Sequence, residues 1–229
     1  MCGRVQVSSS SLEDVFCELT GSPFPGEDNF NLAPMEDAWV VRSHNDNCQS
    51  LMARWWLTPR WAKDARPKFA SFNARCETLD KRNAFKESFR CRRCLLPISG
   101  FYEWAKLERA KVPYYIKQTN KSAMLLAGLW DGWRNSETDE VIHSFTVVTT
   151  SAHPKLKFIH DRQPVILSWR GAREWLNHCV DPANLKHLFQ PAVHESLSVV
   201  PVSSYVGKSV NKDVRCFEPV GLPIEIAPD

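Results

Sequence analysis

The chain has 229 residues, of which 43% are hydrophobic and 24% charged, an ordinary composition for a globular protein. Its 29 Lys and Arg nearly balance 26 Asp and Glu, and a net charge of +3 neither requires nor excludes a nucleic-acid partner. No apolar run approaches the ~20 residues that span a membrane, and no signal-peptide pattern opens the chain. The eight cysteines are therefore expected to be reduced in the cytoplasm, near the nucleoid in a bacterium.

Apolar residues recur at helical spacing near the start of the chain, at positions 12, 15, 16 and 19. This pattern predicts an amphipathic helix over residues 8–20, capped by one of its first serines. A Pro/Gly turn follows at residues 21–27, and Pro34 keeps the residues before it extended. Residues 38–43 and 49–55 have the pattern of two strands, joined by a polar hairpin loop at 44–47.

Short strand patterns dominate the rest of the chain. Residues 72–78 lead into a helix predicted to end near Arg90, and further helices are expected at 170–178 and 182–189. Residues 157–162 form a loop, and a polar tail ends the chain. Strands are expected at residues 94–98, 101–106, 114–118, 124–130, 144–150, 164–167 and 197–202. The series predicts a single α+β domain over residues 1–229, with a strongly curved, mostly antiparallel sheet or barrel flanked by helices.

The second residue is a cysteine, and this position allows a specific chemistry. If Met1 is removed, as a small second residue favours, Cys2 carries a free α-amine and a thiol on adjacent carbons. Such an aminothiol condenses with aldehydes, because the amine forms a Schiff base and the thiol then closes a thiazolidine ring. The ordinary pKa values, about 7.7–8.0 for the amine and about 8.5 for the thiol, leave a useful fraction of both nucleophilic near neutral pH. The alternative is that Cys2 has no chemical role.

Three polar residues are candidates for acid–base or orienting roles. Glu103 lies among aromatic residues, which would desolvate its carboxylate and raise its pKa. His160 lies beside Asp161 and Arg162 and could transfer protons, while the amide of Asn73 could hold a reacting group. Each has a structural alternative: a glutamate on the wet face of a strand, a loop histidine, and a turn-forming or capping asparagine.

Arginines and tryptophans could together bind a nucleic acid. Arg4, Arg75 and Arg162 would contact phosphates if the fold brings them together. Stacking surfaces for bases could come from Trp55, Trp56, Trp61 and Trp104, for most of which core packing is the alternative.

Cys91-Arg92-Arg93-Cys94 has the spacing of half a zinc site. Structural zinc sites usually need a second cysteine pair or a histidine pair, and none is evident at the required spacing. We therefore expect no metal and no cofactor, and the two cysteines are expected on a half-buried strand.

Several segments occur together in one order along the chain: Met1-Cys2-Gly3-Arg4, Asn31-Leu32-Ala33-Pro34, the Trp-rich loop ending at Trp61, Asn73-Ala74-Arg75-Cys76-Glu77-Thr78, Gly100-Phe101-Tyr102-Glu103-Trp104 and Ile159-His160-Asp161-Arg162-Gln163-Pro164. The combination resembles the SRAP (SOS-response-associated peptidase) family. The resemblance extends from Cys2 to the tail at Glu218-Pro219-Val220, which is nearly the whole chain, and it implies an α+β fold with a strongly curved sheet.

The resemblance also implies a function. Members of the family shield abasic sites in single-stranded DNA by a covalent crosslink in which the N-terminal cysteine captures the ring-opened sugar aldehyde as a thiazolidine. For this chain we expect single strands and junctions with duplex as substrates. By analogy Cys2 is the nucleophile and Asn73 orients the sugar and the α-amine. Glu103 manages protons on the amine and the opening sugar and takes part in crosslink reversal, while His160 is the acid/base at ring opening. The matched DNA-contacting positions are Arg4, Arg75 and Arg162 for phosphates, Pro34 and Trp104 for the base stack, and Trp61 and Thr149 for further contacts.

The sequence departs from the family pattern at two positions. Trp56 stands where a glycine usually follows Trp55, and Gln163 stands where Met or Arg is frequent.

Two other functions remain open from the sequence. An amide hydrolase or peptidase could use N-terminal Cys2 as its nucleophile, and self-removal of Met1 would reconcile that activity with crosslinking. A non-catalytic single-strand binder would explain the arginines and tryptophans but not Cys2. In each case the scaffold could work as a monomer.

Overall fold

The strands and helices were identified in a computed structural model that describes residues 2–44, 47–66, 69–108, 110–120 and 123–229. The helices are α1 (Ser9–Thr20), α2 (Asn83–Cys91) and α3 (Trp169–Leu176), and short 3-10 helices lie at Cys76–Thr78, Pro154–Leu156, Pro182–Phe189, Ser204–Gly207 and Val214–Phe217. The strands are β1 (Val5–Val7), β2 (Asn29–Leu32), β3 (Asp37–His44), β4 (Asn47–Trp55), β5 (Asn73–Arg75), β6 (Arg93–Ile98), β7 (Gly100–Lys106), β8 (Lys111–Gln118), β9 (Met124–Arg134), β10 (Val141–Ser151), β11 (Arg162–Pro164), β12 (Ile166–Leu167), β13 (Leu197–Pro201) and β14 (Ile224–Ile226).

The larger sheet closes on itself as a barrel. Within the described residues, five strands follow each other around the ring in the order β10-β4-β3-β6-β9, and β9 pairs again with β10. The junction between β4 and β10 is parallel and the others are antiparallel. A ring with an odd number of strands cannot alternate direction at every junction, so closure requires such a parallel pair. At this junction Trp55 and Phe145 are register partners, and their stacked rings lie 6.1 Å apart in the core.

The smaller sheet carries the start of the chain. Its strand order is β14-β13-β8-β7-β1-β2, with antiparallel neighbours throughout the described pairs. The chain passes from the barrel to this sheet between β6 and β7. Gly100 lies at the crossing, where a Cβ atom would come within 2.5 Å of the Tyr115 ring and 2.7 Å of the Ile116 carbonyl oxygen. A side chain at position 100 would therefore separate β7 from β8.

Helix α1 confirms the amphipathic helix predicted from the sequence, because Leu12, Val15 and Phe16 lie on its buried face. Its cap differs from the prediction. Ser8 makes no capping hydrogen bond, and the carboxylate of Asp28 instead accepts from the backbone N–H and the hydroxyl of Ser9 at 2.7 and 2.8 Å. An acidic side chain from a distant part of the chain thus satisfies an otherwise unpaired helix donor. Among the described helices, none is long and apolar enough to cross a membrane.

The structure confirms most predicted strands and corrects several details. Residues 72–78, predicted to lead into a helix, hold β5 and a 3-10 helix before α2 starts at Asn83. Residues 182–189 form a 3-10 helix, and the polar tail contains β14. The tip of the predicted hairpin loop, at 45–46, lies outside the described residues.

The Cys91–Cys94 motif does not lie on one half-buried strand. Cys91 is exposed at the end of α2, and Cys94 is fully buried in β6. The two cysteines belong to different elements because the chain turns between them. The described residues contain no cluster of His, Cys, Asp or Glu that could hold a metal ion.

Arg93 joins two helix ends to the barrel. It is fully buried in β6, and its guanidinium donates to the carbonyl oxygens of Phe89 at the end of α2 and of Trp175 and Asn177 at the end of α3, at 2.6–3.0 Å. The last carbonyls of a helix have no partner within the helix and carry partial negative charge. Arg93 therefore satisfies acceptors that would otherwise be buried without donors.

We expect Arg93→Met to lower the free energy of unfolding by about 3 kcal/mol, because it keeps the aliphatic bulk but leaves buried carbonyls without donors. Denaturant unfolding measures this change. Arg90→Met is the matched control, since Arg90 is exposed on α2, and it should change the free energy by about 0.5 kcal/mol or less. Equal effects of the two replacements would contradict this role of Arg93.

Candidate active site

The first residues of the chain are held against β7. Val5 is the register partner of Phe101, and the backbone N–H of Tyr102 donates to the carbonyl of Arg4 at 2.9 Å. This pairing carries the chain start along β7 and leaves Cys2 fully buried. The segment that contains Cys2 is thus held beside β7 at the start of the smaller sheet.

Asn73 links this chain start to the barrel. β5 pairs with β10 in parallel, with Asn73 opposite Val147, and the Asn73 Nδ2 atom donates to the Cys2 carbonyl at 2.7 Å. Within the described residues, the Asn73 Oδ1 atom is buried and accepts no hydrogen bond. The side chain therefore holds Cys2 with its donor and keeps an acceptor for a further N–H or O–H group.

Glu103 is buried on β7, with 6% of its surface exposed. This burial excludes the wet-face alternative for Glu103. Its Oε1 atom accepts from the backbone N–H of Trp104 at 3.2 Å. Burial strongly raises the pKa of the Cys2 thiol, and the negative charge of Glu103 raises it further. The thiol is therefore neutral near pH 7, and its reaction needs a nearby proton acceptor.

His160 lies on the loop before β11, on the other side of β10. Ser151 in β10 is the register partner of Arg162, and Thr149 faces Arg75 on β5 along one edge and Pro164 on β11 along the other. The His160 Nδ1 atom accepts from the backbone N–H of Arg162 at 3.0 Å. This contact makes Nδ1 the acceptor, so the neutral ring carries its proton on Nε2.

Arg4 is committed to contacts within the protein. Its guanidinium donates to Asn31 Oδ1 at 2.9 Å, to the Val206 carbonyl at 2.7 Å and to the Gly207 carbonyl at 3.1 Å. It also lies 5.9 Å from the centre of the Trp104 ring. In this structure the hydrogen bonds of Arg4 hold the segment around residue 206 next to the smaller sheet.

Asn31 is a site residue to which the sequence reasoning gave no role. It is fully buried, and its Nδ2 atom lies 2.9–3.1 Å from the carbonyl oxygens of Val206, Lys208 and Asn211. Together with Arg4 it fixes this segment beside the chain start. The available signal was an asparagine inside an otherwise apolar motif, a position where a buried amide needs several partners.

The aromatic candidates divide between surface and core. Trp61 is 58% exposed, and Trp104 is half-buried on β7. Trp55 belongs to the core, where its indole N–H donates to the Phe72 carbonyl at 2.8 Å, so the structure excludes it as a stacking surface. Trp56 is half-buried and packs on the Phe72 ring with centroids 5.5 Å apart.

Pro34 belongs to a tight turn at the edge of the small sheet. The backbone N–H of Glu36 donates to the Ala33 carbonyl at 3.2 Å, and Met35 has the left-handed φ of 78°. These features match a turn with proline at its second position and a positive φ at its third. Since β1 lies between β7 and β2, Pro34 and Trp104 flank the chain start from its two sides.

Arg75, Thr149 and Arg162 lie around the end of β10. Arg75 is exposed, and Thr149 is fully buried. The Arg162 guanidinium donates to the carbonyl and hydroxyl oxygens of Thr149 at 2.7 and 3.2 Å and forms a two-pronged ion pair with Glu77. The structure thus brings Arg75 and Arg162 to one end of the barrel, with Thr149 positioning Arg162.

Comparisons with known proteins agree with this architecture. The family model for SOS response associated peptidase (SRAP) matches residues 1–209. The abasic site processing protein YoqW of Bacillus subtilis is 32% identical over 224 residues, covering 95% of this chain and 99% of the relative. The abasic site processing protein HMCES of Xenopus tropicalis is 29% identical, covering 85% of this chain and 67% of the relative. A crystal structure of a protein from Bacteroides thetaiotaomicron has a TM-score of 0.83 at 22% identity, covering 96% and 100% of the two chains, and this similarity confirms the α+β fold.

Proposed function

Because this chain belongs to the SRAP family, we propose that it processes abasic sites in single-stranded DNA by forming a covalent crosslink through Cys2 after removal of Met1. The observation that carries the proposal is the hydrogen bond from Asn73 to the Cys2 carbonyl, which holds the residue with the buried thiol just before β1. Relatives at about the same length are named abasic site processing proteins.

The chemistry begins with the sugar. In an abasic nucleotide the ring form opens when its hemiacetal O–H loses a proton and the ring oxygen gains one, which leaves an aldehyde at C1. His160 would relay the proton, because its Nδ1 accepts from the Arg162 N–H and Nε2 carries the ring proton. The Nε2–H protonates the ring oxygen while the hemiacetal proton passes to Nε2, so the imidazole ends neutral. The Cys2 amine then adds to the aldehyde carbon, and loss of one water gives the imine.

Ring closure completes the crosslink. The Cys2 sulfur adds to the imine carbon, the thiol proton passes to the imine nitrogen, and the net reaction releases one water. Burial and Glu103 both raise the pKa of the thiol, so this step needs a base, and the Glu103 carboxylate is the buried acceptor whose charge acts on Cys2. Asn73 Oδ1 would accept an N–H from the amine and orient it.

The surface around the site suits a flexible strand. Arg75 and Trp61 are exposed to contact phosphate and base, while Pro34 and Trp104 flank the chain start. Pro34 and Trp104 would pack on the base next to the abasic sugar as a wedge. A continuous duplex accepts this wedge only if its bases unstack there, which costs about 3 kcal/mol. A single strand or a junction with duplex on one side accepts it at little cost.

The proposal predicts a covalent adduct that depends on DNA structure. Purified protein is incubated with an oligonucleotide containing one abasic site, as single strand, junction and duplex, and analysed by denaturing gel and intact mass. We expect an adduct on the single strand and junction whose mass is the sum of Met1-free protein and DNA minus one water. Phosphate contacts from Arg75 and Arg162 predict a log–log salt slope of about −1.4 for binding to single strands when both contacts form.

An undamaged oligonucleotide of the same sequence is the control and should give no adduct. Equal rates on duplex and single strand would contradict the wedge, and a chain that binds without an adduct would be a non-catalytic binder. A peptidase acting through the Cys2 thiolate is disfavoured, because burial raises the thiol pKa and such enzymes need that pKa lowered.

A further inference from the structure

The guanidinium of Arg162 already holds an anion in this structure. Its Nη1 atom donates to Glu77 Oε1 at 2.5 Å, and its Nη2 atom donates to Glu77 Oε2 at 3.1 Å. Such a two-pronged geometry is the one in which arginine binds carboxylates and phosphates alike. Glu77 therefore occupies the part of Arg162 that a DNA phosphate would use.

The two partners of this ion pair are held very differently. The Arg162 side chain is 16% exposed, and Nη2 also donates to the carbonyl and hydroxyl oxygens of Thr149. The Glu77 side chain is 51% exposed and belongs to a short 3-10 helix. Arg162 thus stays in place when Glu77 moves away, whereas Glu77 can turn into solvent at little cost.

The remaining donors of Arg162 do not offer a second two-pronged contact for a phosphate. Its Nε atom is buried and makes no hydrogen bond within the described residues. The exposed edge of the guanidinium is the edge that faces Glu77, so a phosphate must replace the carboxylate to make a two-pronged contact. Arg162 lowers the pKa of Glu77, so the carboxylate stays charged at neutral pH and continues to compete.

We propose that Glu77 is a specificity-determining residue whose carboxylate occupies Arg162 in the DNA-free protein and competes with the DNA phosphate. The proposal rests on the proposed function and adds a regulatory contact to the same surface. An undamaged strand is not held at the site and displaces Glu77 inefficiently, so its affinity for the protein is low. A strand captured covalently by Cys2 holds its phosphate near Arg162 long enough to displace it.

The test is the affinity of Glu77→Gln for an undamaged single-stranded oligonucleotide, measured by fluorescence anisotropy at several salt concentrations. We expect about threefold to fivefold tighter binding, the range that loss of one competing surface ion pair allows. The log–log salt slope should steepen by about 0.7, because one more phosphate contact forms. Glu77→Ala should change affinity in the same direction.

Glu18→Gln is the matched control. Glu18 forms an ion pair with Arg173 at 3.0 Å, and its side chain is 50% exposed, so the replacement removes the same charge from a similar pair. Its affinity for DNA should stay at the wild-type value. In an Arg162→Gln background, the gain from Glu77→Gln should disappear, because the arginine for which both anions compete is absent.

Several outcomes would overturn the proposal. Weaker binding by Glu77→Gln would mean that Glu77 positions Arg162 for DNA, and an equal gain from Glu18→Gln would mean a general charge effect. A wild-type protein that crosslinks abasic DNA but has the same affinity as Glu77→Gln would overturn this inference alone. A wild-type protein that neither binds nor crosslinks would overturn the proposed function and this inference with it.

Discussion

Cys2→Ala should bind abasic single-stranded DNA but form no heat-stable adduct. Alanine retains the α-amine after Met1 removal, so an imine can still form, but no sulfur is present to close the thiazolidine ring. The expected loss is complete on a denaturing gel without reductant. The measurement is adduct yield by gel and intact mass, together with anisotropy to show that non-covalent binding persists.

Two further variants make this result specific to the aminothiol. Cys2→Ser keeps the amine and should give an adduct only when borohydride reduces the imine. A chain with an uncleavable N-terminal extension should be inert, because the Cys2 nitrogen is then an amide. A stable adduct from Cys2→Ala without reductant, or full activity of the extended chain, would contradict the thiazolidine mechanism.

Glu103→Gln should slow crosslinking, or its reversal, by a factor of about 10² to 10⁴, the usual contribution of a positioned acid–base group. Glutamine has nearly the same shape, so the packing of this buried side chain is retained while its ability to accept a proton is lost. The measurement is the single-turnover rate of adduct formation and of reversal. His160→Ala should fall in the same range for adduct formation.

The pH dependence separates a chemical role of Glu103 from a structural one. The charge of Glu103 raises the pKa of the Cys2 thiol, so its removal should lower that pKa. A thiolate is present above its pKa, and the rising part of the pH–rate profile should therefore move to lower pH in Glu103→Gln even though the rate falls. Glu225→Gln, on the exposed part of β14, is the control. Rates within twofold of wild type for both Glu103→Gln and His160→Ala would mean that these two residues have structural roles and take no part in proton transfer.

Local sequence patterns were sufficient for the longer elements. The spacing of Leu12, Val15 and Phe16 predicts α1, and alternation predicts the hairpin of β3 and β4, because both patterns depend on residues close in the chain. The motifs around Cys2, Asn73 and Glu103 indicated candidate reactive residues through their resemblance to the family, and the roles of these residues stay predictions. The sequence did not predict β5, whose three residues form a strand only because β10 provides the backbone partner.

The roles of individual side chains depended on distant partners. Trp55 and Trp61 have the same side chain, but closure of the barrel buries Trp55 and leaves Trp61 exposed. Arg4 was a candidate phosphate ligand in the sequence, and in the structure its guanidinium also donates to groups far along the chain, among them the Val206 carbonyl, 202 residues away. No local pattern reports such contacts.

The amino-acid sequence by itself therefore determined which chemical groups this protein contains: a cysteine at position 2 that becomes an aminothiol if Met1 is removed, candidate acid–base groups and cations. The tertiary structure decided which of these groups meet. Asn73 reaches Cys2 because β5 and β1 belong to sheets that meet at the chain start. Arg162 meets Glu77 because β5 and β11 both pair with β10 at Thr149. Burial, which raises the pKa of the Cys2 thiol, and the ion pair that occupies Arg162 both follow from that packing.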